Sequence, residues 1–455
     1  MSSRAPYRVD KGAGVRQVAR LWRTASGRGF IMLAAMSMLF GFALNAQQNI
    51  VTNYFESVLH LQGPQFGYIT AIREIPGFLL IFLTALFYRV SLQRVTAGAL
   101  VLLAVGYALF GLSHSFWTVA PWMILSSMGY HTVLQTQYSL GMSLTSEAKS
   151  GSILGRMAAL TQGGSLAALV IILVVFHFHP GIYRPTFVVL GGVALLAAVA
   201  IFGFPHLHDG QERAQAAKRD RIVLKREYRY YYYLSLLDGG RQQVFFSFGL
   251  WVLVHRYHLS VAQISGVLIA VTFVSMVSGP WVGRMIDVHG ERRMLSIINV
   301  AYVVALGGYA LANNVVIACL CYVLYTFIMP LSPIGAATYL RKVAVAEEIA
   351  PSLAMGVTLQ HAAAIVVPIT TGIILNYVGY QIPFLIACVF ASFTFFVTRR
   401  LDPQSQRSAL RIAADNARMS AANDVAEAAA VAESGEGIAT TATVRAIPAA
   451  SASSD

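Results

Sequence analysis

The sequence predicts an all-α integral membrane protein with twelve transmembrane helices in two pseudo-symmetric six-helix bundles. Three observations carry that expectation. The 455-residue chain is 56% hydrophobic and only 12% charged, about half the charged share of a soluble domain, and its mean hydropathy is +0.62. Twelve apolar runs approach or exceed the ~20 residues a helix needs to cross ~30 Å of hydrocarbon. A weak internal repeat relates the two halves. This composition argues against a water-soluble enzyme, a disordered scaffold and a fibrous repeat.

In order, the expected spans are 30–50, 66–88, 95–113, 117–139, 152–176, 184–204, 231–254, 263–284, 294–312, 315–339, 353–375 and 380–399. The organisation that follows is a basic cytoplasmic segment (1–29), a first bundle (30–205), a cytoplasmic central loop (206–230), a second bundle (231–400) and a tail (401–455). Segment 1–29 is polar, and the first apolar run is too long for a signal-peptide core, so no cleaved leader is expected. The tail is rich in Ala, Ser, Thr and Glu. Residues 408–431 suit a transient helix by propensity, but they lack a broad apolar face, which predicts a mostly disordered tail.

The net charge of +13 would suggest nucleic acid in a soluble domain. Here 28 of the 33 Lys and Arg residues fall on one side of the twelve-span layout, while the opposite loops hold Arg184 and Arg256. The positive-inside rule then places both termini and the central loop in the cytoplasm, where anionic lipid also attracts them. The charge is therefore an orientation signal, and no nucleic-acid partner is expected. The basic run Lys218 to Arg229, followed by Tyr230 to Tyr233, reads as an interfacial anchor. The expected location is the bacterial inner (plasma) membrane, and the expected functional unit is a monomer in contact with membrane lipid.

The halves share His60-Leu61-x-x-x-Gln65 and His258-Leu259-x-x-x-Gln263, offset by 198 residues. Glu147 and Gly155 recur as Glu348 and Gly356, offset by 201. The two offsets differ by about one helical turn, which supports duplication of a six-helix unit. After the eighth span the chain reads Gly283-Arg284-Met285-Ile286-Asp287-Val288-His289-Gly290-Glu291-Arg292-Arg293. This G-x-x-x-D-x-x-G-x-R-R pattern resembles the major facilitator superfamily over about residues 30–400. The resemblance implies two six-helix bundles that rock about a central site, with Gly283, Asp287, Gly290, Arg292 and Arg293 as a cytoplasmic gating motif. In the first half the corresponding positions are Ala85, Arg89, Leu92 and Arg94. The acid has become a base, so the latch is expected to depend mainly on Asp287.

Ionisable residues in mid-membrane cost at least about 2.5 kcal/mol each, so they are functional candidates. Four stand out: Arg73 and Glu74 in span two, and Asp238 and Arg241 in span seven. Asp238 and Arg241 are i, i+3 neighbours able to neutralise each other. Arg73 and Glu74 point about 100° apart on a helix, which leaves each to find a partner elsewhere. Asn45, Gln47, Gln48, His131, Gln135, Gln137, Gln162, Gln360 and His361 add polarity at central depths. Singly, such residues are often helix–helix contacts. In the superfamily the cavity is lined by spans one, four, seven and ten, and the resemblance makes Asn45, Gln48, His131, Gln135, Asp238, Arg241 and Ser332 its walls. Pro330, Pro333 and Gly335 are expected to loosen span ten.

Two arginines at depth suit an anion, because guanidinium offers a fork to carboxylate or phosphate. The expected activity is alternating-access transport of a small organic anion, coupled to protons. In that reading Arg73, Asn45, Gln48, His131, Gln135, Arg241, Gln360 and His361 bind substrate, and Glu74 and Asp238 carry the proton. Export of lipophilic cations is the alternative, with Glu74 as counter-charge. Against it, Thr161-Gln162-Gly163-Gly164-Ser165 lacks the proline of the family's antiport exporters. A sensor or lipid-handling protein on the same fold is the second alternative. Enzymatic activity, a cofactor and a metal are not expected: Cys319, Cys321 and Cys388 lie in apolar runs, and His177-x-His179 and His255-x-x-His258 have no carboxylate partners nearby in the chain.

Overall fold

A computed structural model describes residues 24–86, 90–144, 150–205 and 224–433. The first half contains α1 (Ala25–Ser57), α2 (Gly63–Leu86), α3 (Leu92–Phe110), α4 (Phe116–Ser143), α5 (Ser150–Phe178) and α6 (Tyr183–Phe202). A 3-10 turn, Arg226–Tyr228, leads into the second half: α7 (Arg229–His255), α8 (Val261–His289), α9 (Glu291–Leu311), α10 (Val315–Ile328), α11 (Leu331–Val343), α12 (Ala346–Val378) and α13 (Gln381–Arg399). Helices α10 and α11 are two parts of one span. The described residues therefore make twelve spans in a multi-pass membrane protein. Eight of them are long and apolar enough to cross a membrane on composition alone. The other four are α2, α4, α7 and α8, and the first three of these carry the polar and charged residues of the interior.

The break in span ten follows from Pro330. Proline has no N–H for the carbonyl four residues back, so Thr326 loses its helical donor and the chain restarts at Leu331. Elsewhere the ends obey ordinary capping rules. Thr24 accepts from the Gly27 amide at 3.1 Å, and Asn314 accepts from the Val316 amide at 2.7 Å.

The internal repeat has a structural cause. Among the described residues, His60 and His258 are the non-glycine residues with positive φ, at 53° and 55°. Each turns the chain out of one span and into the next. After His60, the Gln62 amide donates to Gln65 Oε1 at 3.0 Å. After His258, the Ser260 amide donates to Gln263 Oε1 at 2.9 Å. Glutamine three residues into a helix reaching back to the chain before it is a capping-box geometry. The spacing His-Leu-x-x-x-Gln thus encodes one turn used twice.

At the end of the molecule carrying these two turns, here called the distal end, the bundles are joined. Asn49 Nδ2 donates to Ser265 Oγ at 2.6 Å, and Asn53 Nδ2 to the Leu259 carbonyl at 2.8 Å. Glu56 accepts from Trp251 Nε1 at 3.1 Å and lies 2.6 Å from His255 Nδ1. Helices α2 and α12 cross so closely that a Cβ on Gly372 would stand 2.6 Å from the Gly63 carbonyl. Phe66 fills the gap, 5.8 Å from Phe248 and 6.3 Å from Trp251, ring to ring.

One expectation changes at the other end. Residues 409–433 form a helix, α14 (Ala409–Glu433), where sequence composition predicts mostly disorder. Its start is anchored: the Ser408 amide donates to the Val343 carbonyl at 2.9 Å, and Tyr339 Oη donates to Gln406 at 2.7 Å. In the segment expected to act as a gating motif, Gly290 adopts φ 77° and starts α9, and Arg292 and Arg293 are exposed. The side chains of Gly283 and Asp287 lie outside the described residues, as do Arg89 and Glu147.

Candidate functional site: a cavity between the bundles

Behind the distal seal is a cavity of about 240 Å³. The first bundle contributes Asn45, Gln47, Gln48 and Thr52 from α1, Thr70 and Arg73 from α2 and Met123 from α4. The second contributes Phe245, Phe246 and Ser247 from α7, Thr272 from α8, and Tyr322, Thr326 and Met329 beside the break in span ten. Its chemistry is that of three amides, several hydroxyls, a set of aromatic rings and one guanidinium.

That guanidinium is not isolated. Arg73 donates from Nε and Nη2 to Glu74 Oε1, at 3.1 and 2.9 Å. The divergence of neighbouring helical positions predicted otherwise. The arginine stem is long enough to bend around the helix surface to its neighbour, so the two residues pair directly. The Arg73 side chain keeps 24% of its surface accessible against 9% for Glu74, and its Cζ lies 4.9 Å from the Phe246 ring centre. Arg73 is thus the cavity-facing member of the pair and Glu74 the buried one.

The second carboxylate oxygen faces histidines. Glu74 Oε2 is 3.6 Å from His361 Nδ1 and 4.0 Å from His131 Nε2, and the two rings are 5.6 Å apart. His131 belongs to the first bundle and His361 to the second. Gly77 makes the room, since a Cβ there would come within 2.6 Å of His131 Cε1. The His131 Nε2 atom is buried without a hydrogen-bond partner, which leaves it available to a proton or to a shift of the Glu74 carboxylate. Pro76, inside α2, withholds one helical N–H, and the Ser127 hydroxyl donates to the Arg73 carbonyl across the α2–α4 contact.

The other sequence candidates lie elsewhere. Asp238 and Arg241 do not line the cavity: Arg241 is 1% exposed, ion-paired to Asp238, bonded to Asn299 Oδ1 at 3.0 Å and stacked 3.4 Å from the Tyr302 ring centre. Partners inside the second bundle turn this pair inward, although Arg241 Nε is buried without one. Ser332 is buried in α11, Gln135 is exposed on α4, and Gln360 packs against Gly239 of α7. Asn45 and Gln48 do line the cavity, although Asn45 also donates to Ser165 at 2.7 Å.

Sequence reasoning passed over Phe246, Thr70, Tyr322 and Thr326, because hydroxyls and rings in an apolar helix carry no distinguishing signal. It also passed over Glu56, for which a signal existed. Glu56 is the one acid of the chain in the loops and helix ends of the distal side.

The Major Facilitator Superfamily family model matches residues 231–434. The fold is similar to that of the nucleoside transporter NupG, with TM-score 0.68 and 13% identity over 81% of this chain and 98% of that one. It is also similar to a bacterial homologue of the human lysosomal transporter Spinster in an inward-facing, occupied conformation, with TM-score 0.64 and 12% identity over 84% and 98%. No curated protein matches by sequence. The twelve-span fold is thus shared with these solved transporters, and the second half of the chain matches the sequence pattern of the Major Facilitator Superfamily.

Proposed function

We propose that the protein is a secondary active transporter that carries a small organic anion across the membrane together with a proton. The observation that carries this reading is the division of labour at Glu74. One oxygen holds Arg73 at 2.9 Å, and the other faces His131 and His361, at 4.0 and 3.6 Å. While Glu74 is ionised, the Arg73 charge is compensated, and the cavity offers an anion little net attraction. A proton delivered through the imidazoles neutralises Glu74 and frees the guanidinium fork, which then binds carboxylate or phosphate. Proton and anion consequently favour each other's binding, the linkage a symporter requires.

The same cluster spans both bundles, so its protonation state bears on their relative position. In this reading the distal end is external, and the conformation is closed outside and faces the cytoplasm, as alternating access about a midplane site demands. The distal links Asn49–Ser265, Asn53–Leu259 and Glu56–Trp251 must break for outward opening. Lipophilic-cation export fits less well, because Arg73 already occupies the Phe246 ring face that such a cation would use. A neutral, hydroxylated ring solute is the second reading, favoured by the amides of Asn45, Gln47 and Gln48 opposite Phe245 and Tyr322.

The test is a thermal-shift screen of purified protein against organic anions, nucleosides, sugars and cations, repeated with Arg73→Ala. Stabilisation by an organic anion that Arg73→Ala abolishes supports the first reading. Stabilisation by a neutral solute that survives the substitution supports the second.

A further inference from the structure

Away from the transport cavity, at the end of the molecule where α1 begins, a concave site of about 670 Å³ lies between the start of α9 and the end of α13. Its walls include Arg292 and Arg293 from α9, Arg399 at the end of α13 and Pro403 just beyond it. Glu291, the acid in the lining, is 3% exposed and is compensated by Lys342 at 2.7 Å. The charge presented to an occupant is that of three guanidiniums, offset in part by exposed Asp402, which interacts with Arg292, and it stays net positive, reinforced by the amide end of a long helix. Above these arginines the outward sides of both helices are apolar. On α9, Ile297, Val300 and Val304 are exposed, and on α13 so are Val389, Phe393 and Phe396. Their spacings of three and four residues make one stripe along each helix.

We propose that this site binds the headgroup of an anionic phospholipid, with its acyl chains lying along α9 and α13. Charge complementarity selects the anion, and the apolar stripes beside the arginines select a lipid over a water-soluble phosphate. The site includes Arg292 and Arg293 of the gating motif, so an occupied site ties that motif to the lipid leaflet at this end. The inference does not depend on which solute is transported.

Native mass spectrometry of the delipidated full-length protein tests it, with phosphatidylglycerol and phosphatidylcholine as paired probes. The wild type is expected to retain phosphatidylglycerol in preference to phosphatidylcholine. The triple variant Arg292→Gln/Arg293→Gln/Arg399→Gln is expected to lose about a hundredfold in apparent affinity for phosphatidylglycerol, the order expected for three basic side chains at a membrane surface. The corresponding triple Lys variant is expected to keep most of the preference. Should the Gln triple not fold, Arg293→Gln and Arg399→Gln are each expected to show a loss of about fivefold. Retention equal to wild type in the folded Gln variants overturns the proposal. So does displacement of the lipid by millimolar inorganic phosphate, which would make this a small-anion site.

Discussion

The Glu74 carboxylate of the first bundle stands 3.6 Å from the His361 imidazole of the second. Glu74 is 7% exposed, and its other oxygen is bound by Arg73. In the proposed transport cycle the bundles rock against each other, and this contact cannot persist unchanged through it. Glu74→Gln keeps the shape of the side chain but removes its charge and its titration. It is expected to abolish proton movement with solute while leaving solute binding at least as tight, because Arg73 is then permanently released. Parallel measurement of solute binding and of solute-driven alkalinisation separates the two effects.

Gly77 supplies the space in which the His131 ring sits. Gly77→Ala is expected to displace that ring and to lower transport about tenfold, a loss of about 1.4 kcal/mol in the rate-determining barrier. The protein should still fold, because its helix propensity improves. The companion variant Gly77→Ala/His131→Ala relieves the clash. Recovery of thermal stability without recovery of coupling would mark His131 as part of the proton path.

Glu56 joins α1 to α7 through Trp251 Nε1 and His255 Nδ1. Glu56→Gln weakens a half-exposed ion pair, whose contribution is on the order of 1 kcal/mol. A bias of that size shifts a two-state population about fivefold. In a cysteine-free background, a reporter cysteine at Thr70 should become several-fold more reactive to an impermeant reagent from the distal side. Unchanged reactivity would mean that Asn49, Asn53 and the Gly63–Gly372 crossing hold this end closed without Glu56.

Glu348 ties α12 to the chain before α7. Burial acts to raise its pKa, but hydrogen bonds from Lys225 Nζ at 2.5 Å and Tyr228 Oη at 2.6 Å outweigh it, and the carboxyl is held below its usual range. A carboxylate with a depressed folded-state pKa stabilises the fold above its unfolded value, about 4.3 for Glu. That stabilisation fades as pH falls through the folded value. Melting of the wild type and Glu348→Gln should therefore differ at pH 7 and converge below about pH 4. A gap that persists at the acid end would show that the link does not depend on the carboxylate charge.

Asp238 and Arg241 form a fully enclosed pair with Asn299 and Tyr302. Removing one partner of a buried pair costs about 3–5 kcal/mol, whereas replacing both with apolar residues is often neutral. Arg241→Met is thus expected to lower the melting temperature sharply, and Asp238→Leu/Arg241→Met to restore most of it. A transport-specific loss with unchanged stability in Arg241→Met would return this pair to the solute path.

The architecture was legible because each span repeats one physical requirement, a long apolar run, and the His-Leu-x-x-x-Gln repeat marks one turn used in both halves. The tail was less legible: Ala409–Glu433 lacks a broad apolar face, and the bonds of Ser408 and Gln406 that anchor its start are made to Val343 and Tyr339, far away in the chain. For the site, mid-membrane charge pointed to Arg73, Glu74, Asp238 and Arg241 alike. Sequence alone does not say which of two charged pairs faces a cavity, because that depends on partners contributed by other helices. Asn299 and Tyr302 enclose one pair; Phe246 and His361 leave the other at the junction of the bundles. Helical angles also misjudged Arg73 and Glu74, since a flexible side chain reaches where its Cβ does not point.

The central claim is that protonation of Glu74 couples solute to proton. The most direct measurement is the pH change outside proteoliposomes loaded with the purified protein, on adding the solute identified by the screen without any imposed gradient. The account predicts alkalinisation with the wild type, none with Glu74→Gln, and solute exchange retained in that variant. Alkalinisation of wild-type size in Glu74→Gln would contradict it.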